Sequence, residues 1–260
     1  MSTTVCNNNT MKYQHLSETV SIKTVSEEGS KGVFHVEGLY TGYGMTLGTA
    51  LRRTLLSSLP GAAITQIKIK SVDHEFSTLP GMMEDIVEFT LNLKKVRFHF
   101  FADEPQVLTL RAKGEETVTA GNIHGTTLVQ VINTDLHLAT LTKKSAELEV
   151  ELTVEKGLGY VSSESRKLER LAVGTIVLDA LFSPVVNVSV SVENMRVEEH
   201  TDYNRLIIDL ETDGSLSPSE ALHKSANILK DHFAKVAEMN VMSLATKSEE
   251  KEEKPKKKKK

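Results

Sequence analysis

Residues 42–61, GYGMTLGTALRRTLLSSLPG, constrain the fold more than any other part of this chain. Closely spaced glycines follow an alternating, strand-like segment, and Pro60-Gly61 is a helix-stop and turn signal. The pattern between them is helical. At about 100° per residue, Leu47, Ala50, Leu51, Leu55, Leu56 and Leu59 spread over about two-thirds of the circumference. Only Thr49, Arg53 and Ser57 form a narrow polar stripe. One core needs an apolar face of little more than about 100°. The surplus predicts a helix held between its own domain and a second body, most simply another copy of the chain. Arg53 centres the polar stripe, whereas Arg52 falls inside the apolar arc. Two readings stand: Arg53 is solvated while Arg52 lies along apolar surface, or Arg53 is a planar, permanently charged interface anchor.

The segments around this helix set the fold class. Residues 19–25 and 33–39 alternate apolar and polar across the turn-rich SEEGSKG, the pattern of an antiparallel hairpin. Short alternating segments then follow at 64–70, 96–101, 107–111, 136–141 and 146–154, with a turn or two of helix at 82–92. They form a β-rich block joined by turns rather than crossover helices. Strand signals return at 185–195 and 205–211. Ser217-Pro218-Ser219-Glu220 then opens a second long helix with Ser at the N-cap, Pro at the first helical position and Glu at the third. Two long helices near opposite ends, with a β-rich block between, predict an α+β protein. Its discontinuous domain comprises 13–60 plus 186–245, a mixed or antiparallel sheet with two long helices, and is interrupted by an inserted β-rich domain at 61–185. Residues 1–12 and the Lys/Glu tail at 246–260 are expected to be disordered.

Charge and chemistry narrow the function. The tail carries eight lysines against four glutamates, so a chain of net charge −4 has a body of −8. An acidic body is poorly suited to gripping a phosphate backbone; contact with DNA is expected through partners, with weak help from the lysines. No run approaches the 18 or so apolar residues of a membrane span, no signal peptide is visible, and Cys6 is the single cysteine. These features predict a cytoplasmic protein without membrane attachment. Gly42, Gly44 and Gly48 suggest a dinucleotide loop, but their spacing is GxGxxxG and no repeated strand–helix units follow. The histidines share no metal-ligand spacing. Asp73, Glu75, Glu84 and Asp85 show no sign of a buried acid–base pair, and no nucleophile arrangement is present. The chain is expected to be noncatalytic, with no cofactor or metal of its own. The motif Gly157-Leu158-Gly159-Tyr160-Val161 is either a turn with Tyr160 packed back or a loop that lets a partner approach.

The helix at 42–61 resembles the signature helix of the bacterial RNA polymerase alpha-subunit family. Matches follow in the family's order: His74-Glu75-Phe76-Ser77-Thr78, Glu84-Asp85-Ile86, Leu91-Asn92-Leu93-Lys94, the 157–161 motif, Leu178-Asp179-Ala180, Ser183-Pro184-Val185, Arg196-Val197-Glu198 with Thr201-Asp202, and Leu210-Glu211-Thr212 before Gly214. They span about residues 20–240. The resemblance implies a homodimer paired through its first and last helices, a platform on which the beta and beta′ subunits assemble for DNA-templated RNA synthesis. The magnesium of that reaction is expected in the catalytic subunit. Arg53, Leu56 and Lys94 match beta-contact positions; Gly157, Gly159, Tyr160, Val161 and Gly174 match large-subunit contacts of the insert. Leu47, Ala50, Leu51, Leu55, Leu229, Phe233 and Val236 are the expected dimer interface. The resemblance also implies a bacterial rather than a plastid setting.

Departures from the family pattern bear on contacts rather than on fold. Leu158 and Thr175 stand where basic residues are common, and the segment 162–173 is short. Family members usually continue into a helical DNA-binding domain, which is not expected here. The competing readings are a free-standing dimeric adaptor outside any polymerase and a glycine-loop nucleotide-binding enzyme.

Overall fold

The computed structural model describes residues 20–166, 174–197 and 200–239. The expectations for 1–12 and 246–260 lie outside the described residues. Four α-helices occur among the described residues: α1 (Tyr43–Ser57), α2 (Ile86–Leu93), α3 (Ser163–Arg166) and α4 (Pro218–Ala237). The strands gather around two large hydrophobic cores, with a small third cluster of Ala63, Ala180 and Phe182, and every pairing between strands is antiparallel.

The first core draws on both ends of the chain. Strands β1 (Ser21–Glu28) and β2 (Lys31–Leu39) form the expected hairpin, and β14 (Val185–Val197) with β15 (His200–Thr212) forms a second. The sheet order is β1-β2-β15-β14, so the hairpins join where β2 meets β15, with Phe34 opposite Ile208. Alternation buries Phe34, Val36, Leu206, Ile208 and Leu210 on one face under α1 and α4. The other face carries a charge ladder. Lys23 pairs with Glu37 at 2.6 Å, Glu37 with Arg205 at 3.0 Å, and Arg205 with Glu193 at 3.9 Å, crossing all four strands.

The second core fills the middle of the chain. Strands β3 (Pro60–Ile69), β4 (Phe98–Phe100), β5 (Gln106–Lys113), β6 (Thr117–Thr119), β7 (Ile123–His124), β8 (Val129–Val131), β9 (His137–Thr140), β10 (Glu147–Leu158), β11 (Tyr160–Val161), β12 (Thr175–Val177) and β13 (Ala180–Leu181) lie between the two hairpins. A five-stranded sheet, β12-β3-β10-β5-β7, is flanked by the pairs β4–β8, β6–β9 and β11–β13. On β10, Leu148, Val150, Leu152 and Val154 alternate inward and pack with Leu108, Leu110 and the Ile86, Phe89 and Leu93 face of α2. Helix α2 starts four residues later than its pattern suggests. The Asp85 carboxylate accepts from Glu88 N–H at 2.7 Å and sets the N-terminus there. Helix α4 begins as its sequence predicts: Ser217 Oγ accepts from Glu220 N–H at 3.2 Å, with Pro218 in the first turn.

The structure corrects the reading of α1. Its inner face is Gly44, Gly48, Leu51 and Leu55, at the 4-3-4 spacing of a single helical stripe. Glycine carries no apolar weight in a periodicity count, yet these two let the helix lie directly on the sheet. A Cβ at Gly44 would stand 2.8 Å from Val192 Cγ1, and one at Gly48 would stand 2.6 Å from Val190 Cγ1. Leu51 is therefore 5% exposed and Leu55 0%, both in the chain's own core. The expectation that these two leucines face a second copy is withdrawn, because their side chains are already covered. Leu47 packs against the same core and Ala50 is half-buried. The outer face is mixed rather than narrow: Tyr43, Met45, Thr49, Arg52, Arg53, Leu56 and Ser57 are all exposed. Arg52 does not lie in the buried arc.

Candidate assembly surface

The glycines that open α1 are used for folding. Gly42 caps the helix with φ 85, and its N–H donates to Asn204 Oδ1 at 2.8 Å. Gly44 and Gly48 turn toward β14 and β15. A phosphate cradle needs free backbone N–H groups around open space, and here Val190, Val192 and Leu206 fill that space. The glycine motif thus serves close packing.

The C-terminal half of α1 leaves Arg52, Arg53 and Leu56 outward. Among the described residues neither guanidinium forms an ion pair or hydrogen bond. Beside the end of this helix sits the 157–161 loop. A Cβ on Gly159 would lie 3.7 Å from the Ser57 carbonyl oxygen, so two segments a hundred residues apart in sequence adjoin. The loop is shaped by its glycines. A side chain at Gly157 would meet the Phe182 ring at 2.7 Å, and Gly159 takes φ 61 while its carbonyl accepts from Phe182 N–H at 2.8 Å. Tyr160 and Val161 then pair with Leu181 and Ala180. Tyr160 does not pack back: it is 62% exposed, and Leu158 and Leu181 are exposed with it. Leu56, Leu158, Tyr160 and Leu181 thus supply apolar surface, and Arg53 supplies an unpaired charge.

Lys94 reaches this region through Asp179. Its Nζ donates to Asp179 Oδ2 at 3.1 Å, while Asp179 Oδ1 accepts from Ser163 N–H at 2.8 Å. The Ser163 hydrogen bond, and then Lys94, hold the Asp179 carboxyl below its ordinary value of 3.8. Asp179 precedes Ala180 of β13, so Lys94, the first turn of α3 and the β11–β13 ribbon are tied at one point. Arg166 closes the other side. It pairs with Glu155 at 2.6 Å and lies 5.9 Å from the centre of the Phe182 ring. Asp179, Leu181 and Arg166 were not singled out in the sequence. The Leu178-Asp179-Ala180 motif marked the place, but only the folded ribbon shows what the carboxylate holds.

Two parts of the expected constellation lie elsewhere. Gly157 pairs with Gly61 at one end of β3 and Thr175 with Lys68 at the other. At about 3.3 Å per residue, Gly174 is roughly 23–26 Å from the glycine loop. The dimer candidates Leu229, Phe233 and Val236 lie on α4. Leu229 packs against the first core, whereas Phe233 and Val236 are 64% and 65% exposed and Met239 continues the same apolar surface. Among the described residues no cluster could hold a metal ion, and no helix is long and apolar enough to cross a membrane.

Comparison with known proteins places the sequence. Residues 67–183 match the family described as the RNA polymerase Rpb3/RpoA insert domain. The chain is similar to a DNA-directed RNA polymerase subunit alpha of Symbiobacterium thermophilum, 48% identical over 83% of this chain and 69% of the relative. It is also similar to those of Alkaliphilus oremlandii, 45% over 82% and 67%, and Desulforudis audaxviator, 45% over 86% and 72%.

Proposed function

Because this chain belongs to the DNA-directed RNA polymerase alpha-subunit family, we propose that it acts as a noncatalytic, homodimeric scaffold on which the beta and beta′ subunits assemble in the cytoplasm. Two copies pair through the exposed Phe233 and Val236 of α4, with Met239 just beyond its end, together with the outer part of α1. The surface of Arg53, Leu56, Leu158, Tyr160 and Leu181, with Lys94 held beside it by Asp179, receives a large subunit. Gly174 belongs to a separate contact at the far end of β3. Catalytic magnesium and contact with DNA belong to the assembled enzyme. The observation that carries this reading is the seating of Gly159 against Ser57. It joins the outward face of α1 to the glycine loop, and neither segment alone presents an anchor with apolar surroundings.

The test separates pairing from recruitment. Arg53→Ala should leave the mass of the free dimer unchanged in sedimentation and weaken capture of the beta subunit by about ten-fold or more, the range of a removed interface anchor. A variant that falls apart into monomers while still capturing beta would overturn the assignment of the two faces.

A further inference from the structure

The chain passes between its two cores twice, at residues 59–61 and 182–185, and the two passages touch. A Cβ on Gly61 would stand 1.8 Å from the Phe182 carbonyl oxygen, so only glycine permits the contact. Two adjacent crossings form a hinge line, and domains joined this way move relative to each other unless something else holds them. Away from the crossings, a charged contact spans the two parts. The Nε of Arg97, just beyond α2 in the inserted part, lies 3.5 Å from Asp213 Oδ2, in the turn between β15 and α4. The side chains are only 23% and 11% exposed.

Each half of this contact is held by its own hydrogen bonds. On the inserted side, Arg97 N–H donates to Asn133 Oδ1 at 2.9 Å, Asn133 Nδ2 donates to Lys95 O at 2.9 Å, and Ile132 N–H donates to Arg97 O at 2.9 Å. The Arg97 Nη1 also donates to the Lys94 carbonyl at 3.3 Å. On the other side, Asp213 N–H donates to Pro184 O at 2.9 Å, and Asp213 Oδ1 accepts from Ser215 N–H at 2.9 Å. Gly214 then comes up to Ile132, its Cβ position 3.7 Å from Cγ2. An exposed pair would contribute little. A covered pair between two preorganised groups holds geometry, and removing one partner strands the other charge.

The geometry points to Arg97 and Asp213 as positioning residues: a latch across the hinge that fixes the inserted part relative to α4. Lys94, whose carbonyl Arg97 holds and whose ammonium binds Asp179, ties the latch to the recruiting surface. Asp213, which shapes the turn before Ser217, ties it to the pairing helix. This inference rests on the proposed scaffold function only where recruitment is concerned. A scaffold must present one surface at a fixed angle to another, and this pair sets that angle.

Spin labels at Glu115 and Ser189 test it, introduced as cysteines in a Cys6→Ser chain and diluted with unlabelled protein to suppress distances between copies. The parent should give a narrow distance distribution. Arg97→Gln should broaden it at least two-fold with amide exchange in both cores still protected, and Arg97→Lys should restore the narrow form. Asp213→Asn keeps the acceptor for Ser215 and removes the charge, so it should broaden the distribution as Arg97→Gln does. It decides the matter if Arg97→Gln loses its fold. Beta-subunit capture should fall about ten-fold in the broadened variants. A parental distribution in Arg97→Gln and Asp213→Asn, each with protected cores, overturns the latch. A parent that captures no large subunit overturns the scaffold reading and leaves the distance result standing.

Discussion

Replacing Gly48 with alanine sets two effects against each other. In an isolated helix the change gains about 1 kcal/mol. Here the new Cβ would stand 2.6 Å from Val190 Cγ1 and 2.8 Å from Leu206 Cδ1, well inside the ordinary contact distance of about 3.5–4.0 Å. Neither neighbour yields easily, since Leu206 is fully buried and Val190 is β-branched. Overpacking of this kind costs about 1–3 kcal/mol, so Gly48→Ala should destabilise the first core by about 1 kcal/mol net. Thr49→Ala, one residue further and exposed, should be neutral or stabilise by a few tenths. Urea unfolding read by hydrogen exchange of α1 and β15 amides isolates the relevant core, because two cores need not unfold together. A Gly48→Ala chain more stable than its parent would refute the packing role of these glycines and reopen the face of α1 that they occupy.

Leu55→Asp and Phe233→Asp should differ in kind. The first buries a charge in a filled core and should abolish folding, whereas the second should give a folded monomer, both readable by circular dichroism with sedimentation. Lowering the pH should release the Ser163 turn from Asp179. Its carboxyl is depressed when folded, so its stabilising contribution is present above about 3.8 and is lost as pH falls through the lower, folded value. Carbon-detected titration should place Asp179 below 3.8, and Lys94→Ala should move it upward.

The sequence carried the larger elements well because each had a redundant signal. Alternating residues marked β2, β5, β10, β14 and β15, and the Ser217-Pro218-Glu220 cap placed α4 to the residue. It carried α1 as a helix but not its orientation, since leucines show where apolar surface is abundant while glycines decide which side can approach a sheet. Strands of two or three residues, such as β7, β11 and β13, fall below any period; they exist through pairing partners outside their own segment, Leu110 for Ile123 of β7 and Leu181 for Tyr160 of β11. The proposed recruiting surface was legible as separate motifs, Arg53 with Leu56 and the 157–161 loop. Their junction at Ser57 and Gly159 depends on the chain crossing between cores, which no local pattern records. Asp179 and the Arg97–Asp213 pair were hidden for the same reason: each is a long-range partnership between ordinary-looking residues.

Native mass spectrometry of this chain assembled with beta and beta′ subunits tests the central claim most directly. The scaffold account predicts two copies of the chain in every complex that contains both large subunits. A complex with a single copy, or large subunits that assemble without the chain while it remains a free dimer, would contradict it.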